Sequence, residues 1–395
     1  MEPGAAGPAS SALPAAPGRI AKTAGYYGAF VALGLTSAML GPTLPGLAQN
    51  TGVTLSQVSV LFTARSLGYM LGPLGGGRLY DRLRGHPLMT GALFAMAALT
   101  ALIPLAPRLW LLALLLLLLG MVEGVLDLGG NLLLVWVHRE KNAPFMNGLH
   151  FFFGVGAFLC PILIAQAILL SGGLSWAFWL LALLLLPAAL YLAAQPSPAH
   201  AYQPGAHGAG PERPRLVALL VAFYFLVVGA EGSFGGWIYS YALALGLADE
   251  TAAAYLTSAF WGALMLGRLL TIPLAARLKP QTIILAELVG CLLSPALILL
   301  WSGSQAVLWA GALLAGLSMA SIFPSTLSFA ERRMAITGRT TRWIFVGTGA
   351  GGMLLPWLIG QLFERFTPQA AMWAILADLV LGCAVYLWMV RIKER

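Results

Sequence analysis

Two carboxylates and an amide are spaced along one long apolar stretch of the chain. Glu123, Asp127 and Asn131 follow one another at intervals of four residues, so in a helix they form a single polar stripe. An ionisable group inside a bilayer costs at least about 2.5–3.5 kcal/mol, and two neighbouring carboxylates are not both ionised cheaply. Such a stripe can take up a proton or ligate a sodium ion. The competing interpretation is a buried ion pair with Arg65 or Arg268.

Other polar and aromatic side chains inside apolar stretches are candidates for binding a small uncharged molecule. Together with Asn131, they are Arg65, His150, Gln166, Glu231, Trp237, Trp261, Arg268 and Gln361. The glutamines can donate to hydroxyl groups, and the tryptophans offer flat faces to a ring. Each of these side chains also has an interpretation without a ligand. The histidine can be a core residue, the glutamines can bond across helices, the tryptophans can lie at the membrane interface, and the arginines can pair with carboxylates. Glu287 and Asp378 are interpreted as interfacial or structural.

The composition places these residues on membrane-spanning helices. Of 395 residues, 59% are hydrophobic and 9% are charged, whereas soluble domains are about a quarter charged. The 22 basic and 14 acidic side chains cannot cover a soluble body of 41.7 kDa, and the mean hydropathy is +0.84. A membrane span needs about 20 mostly apolar residues. The twelve runs that satisfy this, numbered spans 1 to 12, are 24–48, 55–78, 87–106, 109–137, 143–170, 174–194, 214–245, 250–276, 280–302, 305–330, 337–363 and 368–390.

The sequence contains no pattern that predicts an enzyme. Gly347–Gly352 fits the glycine pattern of dinucleotide sites, but it lies in an apolar run with no preceding strand. The three cysteines form no CxxC or Cys/His cluster, which argues against a disulfide framework or a metal site. HExxH and GxSxG patterns are absent from the sequence. Gly68, Gly72 and Gly76 share one helix face and predict close helix packing.

The distribution of basic residues predicts the orientation in the membrane. With the N-terminus inside, eighteen of the 22 Lys and Arg residues lie on the cytoplasmic side, two lie outside and two lie within spans. Because these residues follow one membrane face, the net charge of +8 needs no nucleic-acid partner. We expect cytoplasmic termini, a disordered tail over 1–18 without the features of a signal peptide, and a cytoplasmic linker over 195–213.

The two halves of the chain repeat at an offset of 195 residues. One register relates spans 1, 2 and 5 to spans 7, 8 and 11 without gaps. The matched pairs are Gly154/Gly349, Gly156/Gly351, Pro161/Pro356, Leu163/Leu358, Ile164/Ile359, Gln166/Gln361, Gly34/Gly229, Gly41/Gly236, Gly72/Gly267 and Arg82/Arg277. Two parallel six-span repeats are an architecture of secondary transporters, which hold substrate near the midplane between the halves.

The turn after span 2 carries a family resemblance. Gly77–His86, with the sequence GRLYDRLRGH, resembles the signature of the major facilitator superfamily between spans 2 and 3. The resemblance implies a gate in which Asp81 faces the start of span 11 near Thr337–Gly338, where a helix dipole favours an anion. Arg82 and Arg139 would belong to this gate. The alternative is a solvated turn that only follows the charge rule.

Four shorter stretches resemble one branch of that superfamily. Asp127–Asn131 is similar to an acidic-x-x-x-Asn element of fucose:proton symporters. Phe145–Gly156, Gly229–Tyr239 and Ser321–Pro324 resemble the related sodium-dependent glucose transporters. The resemblance implies a cavity lined by spans 1, 4, 7 and 10, with Asp127 and Glu123 as the residues that bind the coupling ion.

We therefore expect an all-α integral membrane protein of twelve helices in two pseudo-symmetric six-helix bundles, 19–194 and 214–395. The expected function is secondary active transport of a small neutral solute, foremost a monosaccharide, by alternating access coupled to a proton or sodium gradient. The alternatives are a proton-coupled exporter of drugs or lipid-like compounds and a non-transporting sensor. We expect a monomer in the lipid bilayer of the cell membrane, with a small-molecule substrate and no cofactor or metal beyond the coupling ion.

Overall fold

The computed structural model describes residues 18–199, 213–334 and 336–392, and every regular element in these ranges is a helix. Residues 1–17 of the predicted tail and 200–212 of the predicted linker lie outside the described residues. The predicted spans agree with the helices to within a few residues, except at the ends of spans 1 and 2. Agreement is close because runs of apolar residues end at Pro, Gly or charged residues in this chain.

The helices follow the order of the predicted spans. Span 1 is Arg19–Ser37 and Leu40–Thr51, and span 2 is Leu55–Val58 and Val60–Arg82. The remaining spans, in order from 3 to 12, are Gly85–Leu102, Leu109–His138, Ala143–Ser171, Leu174–Ala193, Pro214–Ala244, Glu250–Ala275, Pro280–Leu300, Gln305–Met319 with Ile322–Glu331, Gly338–Arg365 and Gln369–Arg391. Short 3-10 turns, Ile103–Leu105 and Arg139–Lys141, follow spans 3 and 4.

Ten helices of the described chain are long and apolar enough to cross a membrane, and the bent pair that forms span 1 makes an eleventh. Span 2 falls short in composition but not in length, since Val60–Arg82 has 23 residues. Its five glycines and four charged residues lower its hydropathy. It packs against span 4 and span 11, and the glycines serve that packing.

Two spans are interrupted near the middle, and a proline explains each interruption. Span 1 bends by 46° between Ser37 and Leu40. Pro42 has no N–H with which to bond the carbonyl of Ala38, so a straight helix cannot continue there. Span 10 is interrupted at Ala320 and Ser321, ahead of Pro324, for the same reason. Backbone groups at both interruptions are left for side chains to satisfy.

Glycines that are 195 residues apart make similar contacts in the two halves, although the carbonyls that Gly156 and Gly351 meet belong to residues 194 apart. A Cβ on Gly156 would collide with the carbonyl oxygen of Val31 in span 1, and one on Gly351 would collide with that of Phe225 in span 7. Gly41 and Gly236, which are also 195 residues apart, approach each other directly where spans 1 and 7 meet. Spans 5 and 11 therefore pack in the same way within their own halves, as the offset predicts.

Candidate functional site

Glycines bring the backbones of spans 2 and 4 close enough for their polar side chains to meet. A Cβ on Gly120 would collide with the carbonyl oxygen of Arg65, and one on Gly124 would lie 2.5 Å from that of Tyr69. The predicted close packing of Gly68 and Gly72 is confirmed, since both lie against the backbone of span 4. Small residues at this spacing allow such an approach.

Glu123 forms an ion pair with Arg65. The Nη2 atom of Arg65 lies 2.8 Å from Oε2 of Glu123, whose side chain is 0% exposed. Nη2 also donates to Oγ of Ser37 at 3.1 Å, and Nη1 donates to the Ser37 carbonyl at 3.4 Å. Of the interpretations that the sequence leaves open for Glu123, this conformation shows the buried ion pair, and the partner is Arg65. The same arginine holds the end of the first half of span 1.

Asp127 has polar partners but no cationic one. Its Oδ2 accepts a hydrogen bond from the hydroxyl of Tyr69 at 2.8 Å, and its Oδ1 accepts from Nδ2 of Asn131 at 3.0 Å. No Lys, Arg or His of the described residues lies within 4.0 Å of its carboxylate. Asp127 is partly exposed. The carboxylate is thus oriented by two hydrogen bonds and has no protein cation among the described residues, so its negative charge is left for a bound cation.

Sequence reasoning missed Tyr69. The signal was present, because Tyr69 lies one helical turn after Arg65 and both therefore project from the same face of span 2. The two side chains meet Glu123 and Asp127, which are one turn apart on span 4. The spacing of four on both helices aligns the two pairs.

A second set of ionisable side chains lies on spans 5, 7 and 8. Arg268 lies near enough to Glu231 and to His150 for their charges to interact, although neither is in ion-pair contact with it. His150 is solvent-accessible although protein atoms surround it, as in a side chain that lines a cavity. Its ring lies edge-on to Phe30. His150 and Glu231 therefore each lie within electrostatic reach of Arg268, without a direct contact.

The two candidate tryptophans have different environments. Trp237 is fully buried, and its Nε1 donates to the carbonyl of Pro356 at 2.9 Å. In this conformation, span 11 and Phe62 of span 2 cover its faces. Trp261 is half-buried, and its Nε1 has no hydrogen-bond partner within the described part of the chain. Trp261 is thus the one of the two whose indole N–H is unpaired, although the nitrogen itself is buried in this conformation.

Gln166 and Gln361 join the two halves at one end of the molecule. Nε2 of Gln166 donates to the hydroxyl of Tyr255 at 2.6 Å. Nε2 of Gln361 donates to the Ser56 carbonyl at 2.8 Å, and Glu364 accepts from the Ser56 backbone N–H at 2.7 Å. These repeat-equivalent glutamines bond across helices, as the alternative interpretation held. We call the bonds of Gln166 and Gln361 the glutamine latches.

Spans 2 and 11 separate toward the opposite end. From the latch inward, Thr63 donates to the Met353 carbonyl and Ser66 to the Gly352 carbonyl, at 3.1 and 3.0 Å. Farther along the same face, Leu74 is 65% exposed, and a Cβ added at Gly77 would meet no atom within 4 Å. The two halves therefore diverge beyond the middle of these helices.

The predicted gate residues lie at this separated end. Asp81, Arg82 and Arg139 are exposed, and none has a salt bridge or side-chain hydrogen bond to the described residues. Thr337 caps its own helix by accepting from the Thr340 backbone N–H at 3.2 Å. Asp81 does not contact the start of span 11 in this conformation, which is the expected state of an open gate.

Replacing Tyr69 with Phe tests the orientation of Asp127. A hydrogen bond to a charged group contributes about 1.5–3 kcal/mol and stabilises the ionised carboxylate, so Tyr69→Phe should make Asp127 bind a proton at least about tenfold more tightly. The proton concentration for half-maximal transport should therefore fall if the coupling ion is a proton, whereas loss of the carboxylate's orientation should raise the sodium concentration if it is sodium. Maximal transport should persist, because the carboxylate remains. Tyr80→Phe is the matched control: Tyr80 also joins spans 2 and 4, but its hydroxyl donates to the Val125 carbonyl. Equal effects of the two substitutions would show that Tyr69 acts only in packing.

Replacing both latch glutamines should shift the protein toward a state open at the latched end. Each hydrogen bond contributes about 1 kcal/mol, or a factor of about five in population. In a Gln166→Leu/Gln361→Leu variant, a cysteine at Thr63 should be labelled faster from that side. The control Gln57→Leu removes a side chain that accepts only from the Thr54 backbone N–H within its own helix. Unchanged labelling in the double variant would exclude the latch role.

The chain matches the model of the Major Facilitator Superfamily over residues 26–346. Sodium-dependent glucose transporter 1A of Mus musculus is 33% identical over 374 residues, which cover 85% of this chain and 88% of that protein. Human major facilitator superfamily domain-containing protein 4A is 26% identical over 464 aligned positions, covering 91% and 89% of the two chains.

Solved structures agree with the fold. A bacterial homologue of the human lysosomal transporter Spinster, in an inward-facing and unoccupied conformation, aligns with a TM-score of 0.76 at 13% identity. The alignment covers 95% of this chain and 98% of the other. With the apolar helices, the repeat and the family match together, this multi-pass membrane protein belongs to the major facilitator superfamily of transporters.

Proposed function

We propose that the protein transports a neutral monosaccharide by alternating access, coupled to a sodium or proton gradient. The observation that carries the proposal is Asp127, a partly exposed residue whose carboxylate has oriented oxygens and no protein cation in the described structure. A coupling ion can bind there and leave again without breaking an ion pair.

The relatives support the substrate class. Proteins named sodium-dependent glucose transporter 1, from mouse, human and other vertebrates, are 30–34% identical to this chain. Their names favour sodium as the coupling ion and a sugar as the cargo. The polar groups of spans 4, 5 and 7 suit a neutral polyol: His150 and Glu231 offer donors and acceptors, and Asn131 can contact a hydroxyl group beside Asp127.

We further propose that the separated end faces the cytoplasm. Spans 2 and 8 carry Arg78, Arg82 and Arg277 toward this end, whereas the latched end is poor in Lys and Arg. Because cytoplasmic loops are enriched in basic residues, the latched end is extracellular and both termini are cytoplasmic. The protein works as a monomer in the cell membrane, needs no cofactor beyond the coupling ion, binds no nucleic acid and catalyses no reaction.

Uptake into proteoliposomes tests the proposal. Labelled glucose and fucose are offered with an inward sodium gradient, with an inward proton gradient, and with neither. We expect accumulation of a sugar above its external concentration with one gradient and only equilibration without it. Liposomes containing Asp127→Asn protein serve as the control. If neither sugar enters under any gradient, or if entry never exceeds equilibration, the proposed function is wrong.

A further inference from the structure

The interruption of span 10 is held by two ionisable side chains from neighbouring helices. Pro324 has no N–H, so the Ala320 carbonyl lacks the donor that a continuous helix would supply. Nε of Arg268 in span 8 donates to this carbonyl at 3.1 Å. On the other side of the break, the backbone N–H of Ser321 donates to Oε1 of Glu287 in span 9 at 3.2 Å.

Glu287 is buried without a charge partner. Its side chain is 8% exposed, and its Oε2 has no hydrogen-bond partner in the described part of the chain. No basic side chain of the described residues lies within ion-pair distance of its carboxyl group. An ionised carboxylate in this position would leave one charged oxygen buried and uncompensated, which is strongly unfavourable.

A count of hydrogens leads to the same result. Three oxygen–oxygen contacts form a chain: Glu287 to the Ser321 hydroxyl, Ser321 to the Thr271 hydroxyl at 2.6 Å, and Thr271 to the Gly267 carbonyl at 2.9 Å. Each contact needs one hydrogen, but the hydroxyls of Ser321 and Thr271 supply only two. The Gly267 carbonyl carries no hydrogen that it could donate. The third hydrogen must come from the carboxyl group of Glu287.

We propose that Glu287 is a proton-binding site, separate from Asp127, whose bound proton completes a chain of hydrogen bonds from span 9 through the interruption of span 10 to span 8. With the proton in place, Glu287 donates to Ser321, Ser321 donates to Thr271, and Thr271 donates to Gly267. When the proton leaves, the Ser321 hydroxyl must donate to the carboxylate, so its contact with Thr271 has no hydrogen and span 10 loses this bond to span 8. The ligand of the site is a proton taken from water.

Charged and titratable side chains near Glu287 place it within electrostatic reach of Glu231 in span 7. Span 8 contributes Arg268, which also interacts electrostatically with Glu231. Cys291, one turn along span 9, lies near both Glu287 and Glu231. Span 12, which packs against span 9, carries Asp378, Cys383, Tyr386 and Arg391, and Glu331, Arg332 and Arg333 lie at the end of span 10. None of these groups is in ion-pair contact with Glu287.

Infrared spectroscopy of the reconstituted full-length protein detects the proposed proton directly. A protonated carboxylic acid has a carbonyl band that is distinct from those of carboxylates and amides. At neutral pH, the spectrum of the Glu287→Gln variant should lack one such band of the parent protein. Asp378→Asn is the control, since it removes another buried carboxyl group and should leave the Glu287 band in place. A parent spectrum from which Glu287→Gln removes no acid band would overturn the proposal.

Stability as a function of pH gives a second, independent test. Glutamine is a neutral side chain of the same size as the protonated acid, and its amide oxygen in the place of Oε1 can still accept from the Ser321 backbone N–H. Because the native state holds a proton that the unfolded chain releases, the thermal midpoint of the parent should fall relative to Glu287→Gln as pH rises. The proposed site would be contradicted if the thermal midpoints of the parent and Glu287→Gln changed in parallel with pH, or if Glu287→Gln failed to fold. It would also be contradicted if sodium stabilised the parent protein but not Glu287→Gln. No substrate is present in either test, so their outcomes are separate from that of the proposed function.

Discussion

Asp127→Asn is expected to abolish accumulation of sugar against its gradient while exchange of labelled for unlabelled sugar continues. Asparagine has the size of aspartate and can still bond both neighbours, accepting from Asn131 and donating to the Tyr69 hydroxyl oxygen. It cannot take up a proton, and it gives a cation no negative charge. The carrier loaded with sugar therefore still moves between its two states. A sodium or proton gradient no longer drives this movement, because the variant does not bind the cation at residue 127.

The accumulation ratio at steady state is the quantity to measure. We expect it to fall to one in the variant, with an exchange rate close to that of the parent protein. Asp378→Asn is the matched control, because it makes the same substitution at a buried carboxylate of span 12 and should leave the ratio unchanged. A folded Asp127→Asn protein that still concentrates sugar would end the assignment of Asp127 as the coupling residue.

Arg65→Leu is expected to cause the largest loss of stability among single substitutions in the site. It would leave the carboxylate of Glu123 buried without its partner, and breaking a buried pair costs about 3–5 kcal/mol. Glu123→Leu should cost less, because Arg65 is 18% exposed and keeps its bonds to Ser37. The double variant should recover much of the loss, since well-packed apolar residues often replace a buried ion pair at little cost.

A double-mutant cycle on purified protein measures this coupling. The free energy of unfolding, or the thermal midpoint where unfolding is irreversible, is compared for the parent, both single variants and the double variant. Arg84→Leu, at an exposed arginine, controls for loss of charge alone. Additive losses, with the double variant less stable than Arg65→Leu, would show that the ion pair does not stabilise this fold.

Most of the helix layout was predictable from the sequence, because apolar length and charge placement determine where helices cross a membrane. Span 4 was expected over 109–137 and is observed as Leu109–His138. The offset of 195 correctly matched Gly156 with Gly351, since small residues at a helix contact allow few alternatives. Span 2 is also predicted over 55–78, and it extends to Arg82 in the structure, where its glycines and charged residues serve packing and the site.

The pairing of charges was not predictable in the same way. Glu123 had two possible arginine partners, and only the packing of spans 2 and 4 selects Arg65. Arg268 instead satisfies a carbonyl that Pro324 leaves without a donor, so its partner depends on a break in a helix two spans later. For Glu287 the sequence leaves interfacial and structural roles open, and the side chain is buried at that break and bonds the backbone of span 10. The partners of these charged side chains depend on contacts between helices, and the spacing of residues along the sequence does not specify those contacts.

The movement of a cation driven by sugar alone tests the account most directly. Proteoliposomes with equal sodium and pH on both sides receive the transported sugar outside, and a sodium- or pH-sensitive dye inside records cation entry; the mirror-image sugar serves as the control. The account predicts that sugar entry carries sodium ions or protons into the liposomes, although neither cation has an initial concentration gradient. Sugar entry without any accompanying cation would contradict it.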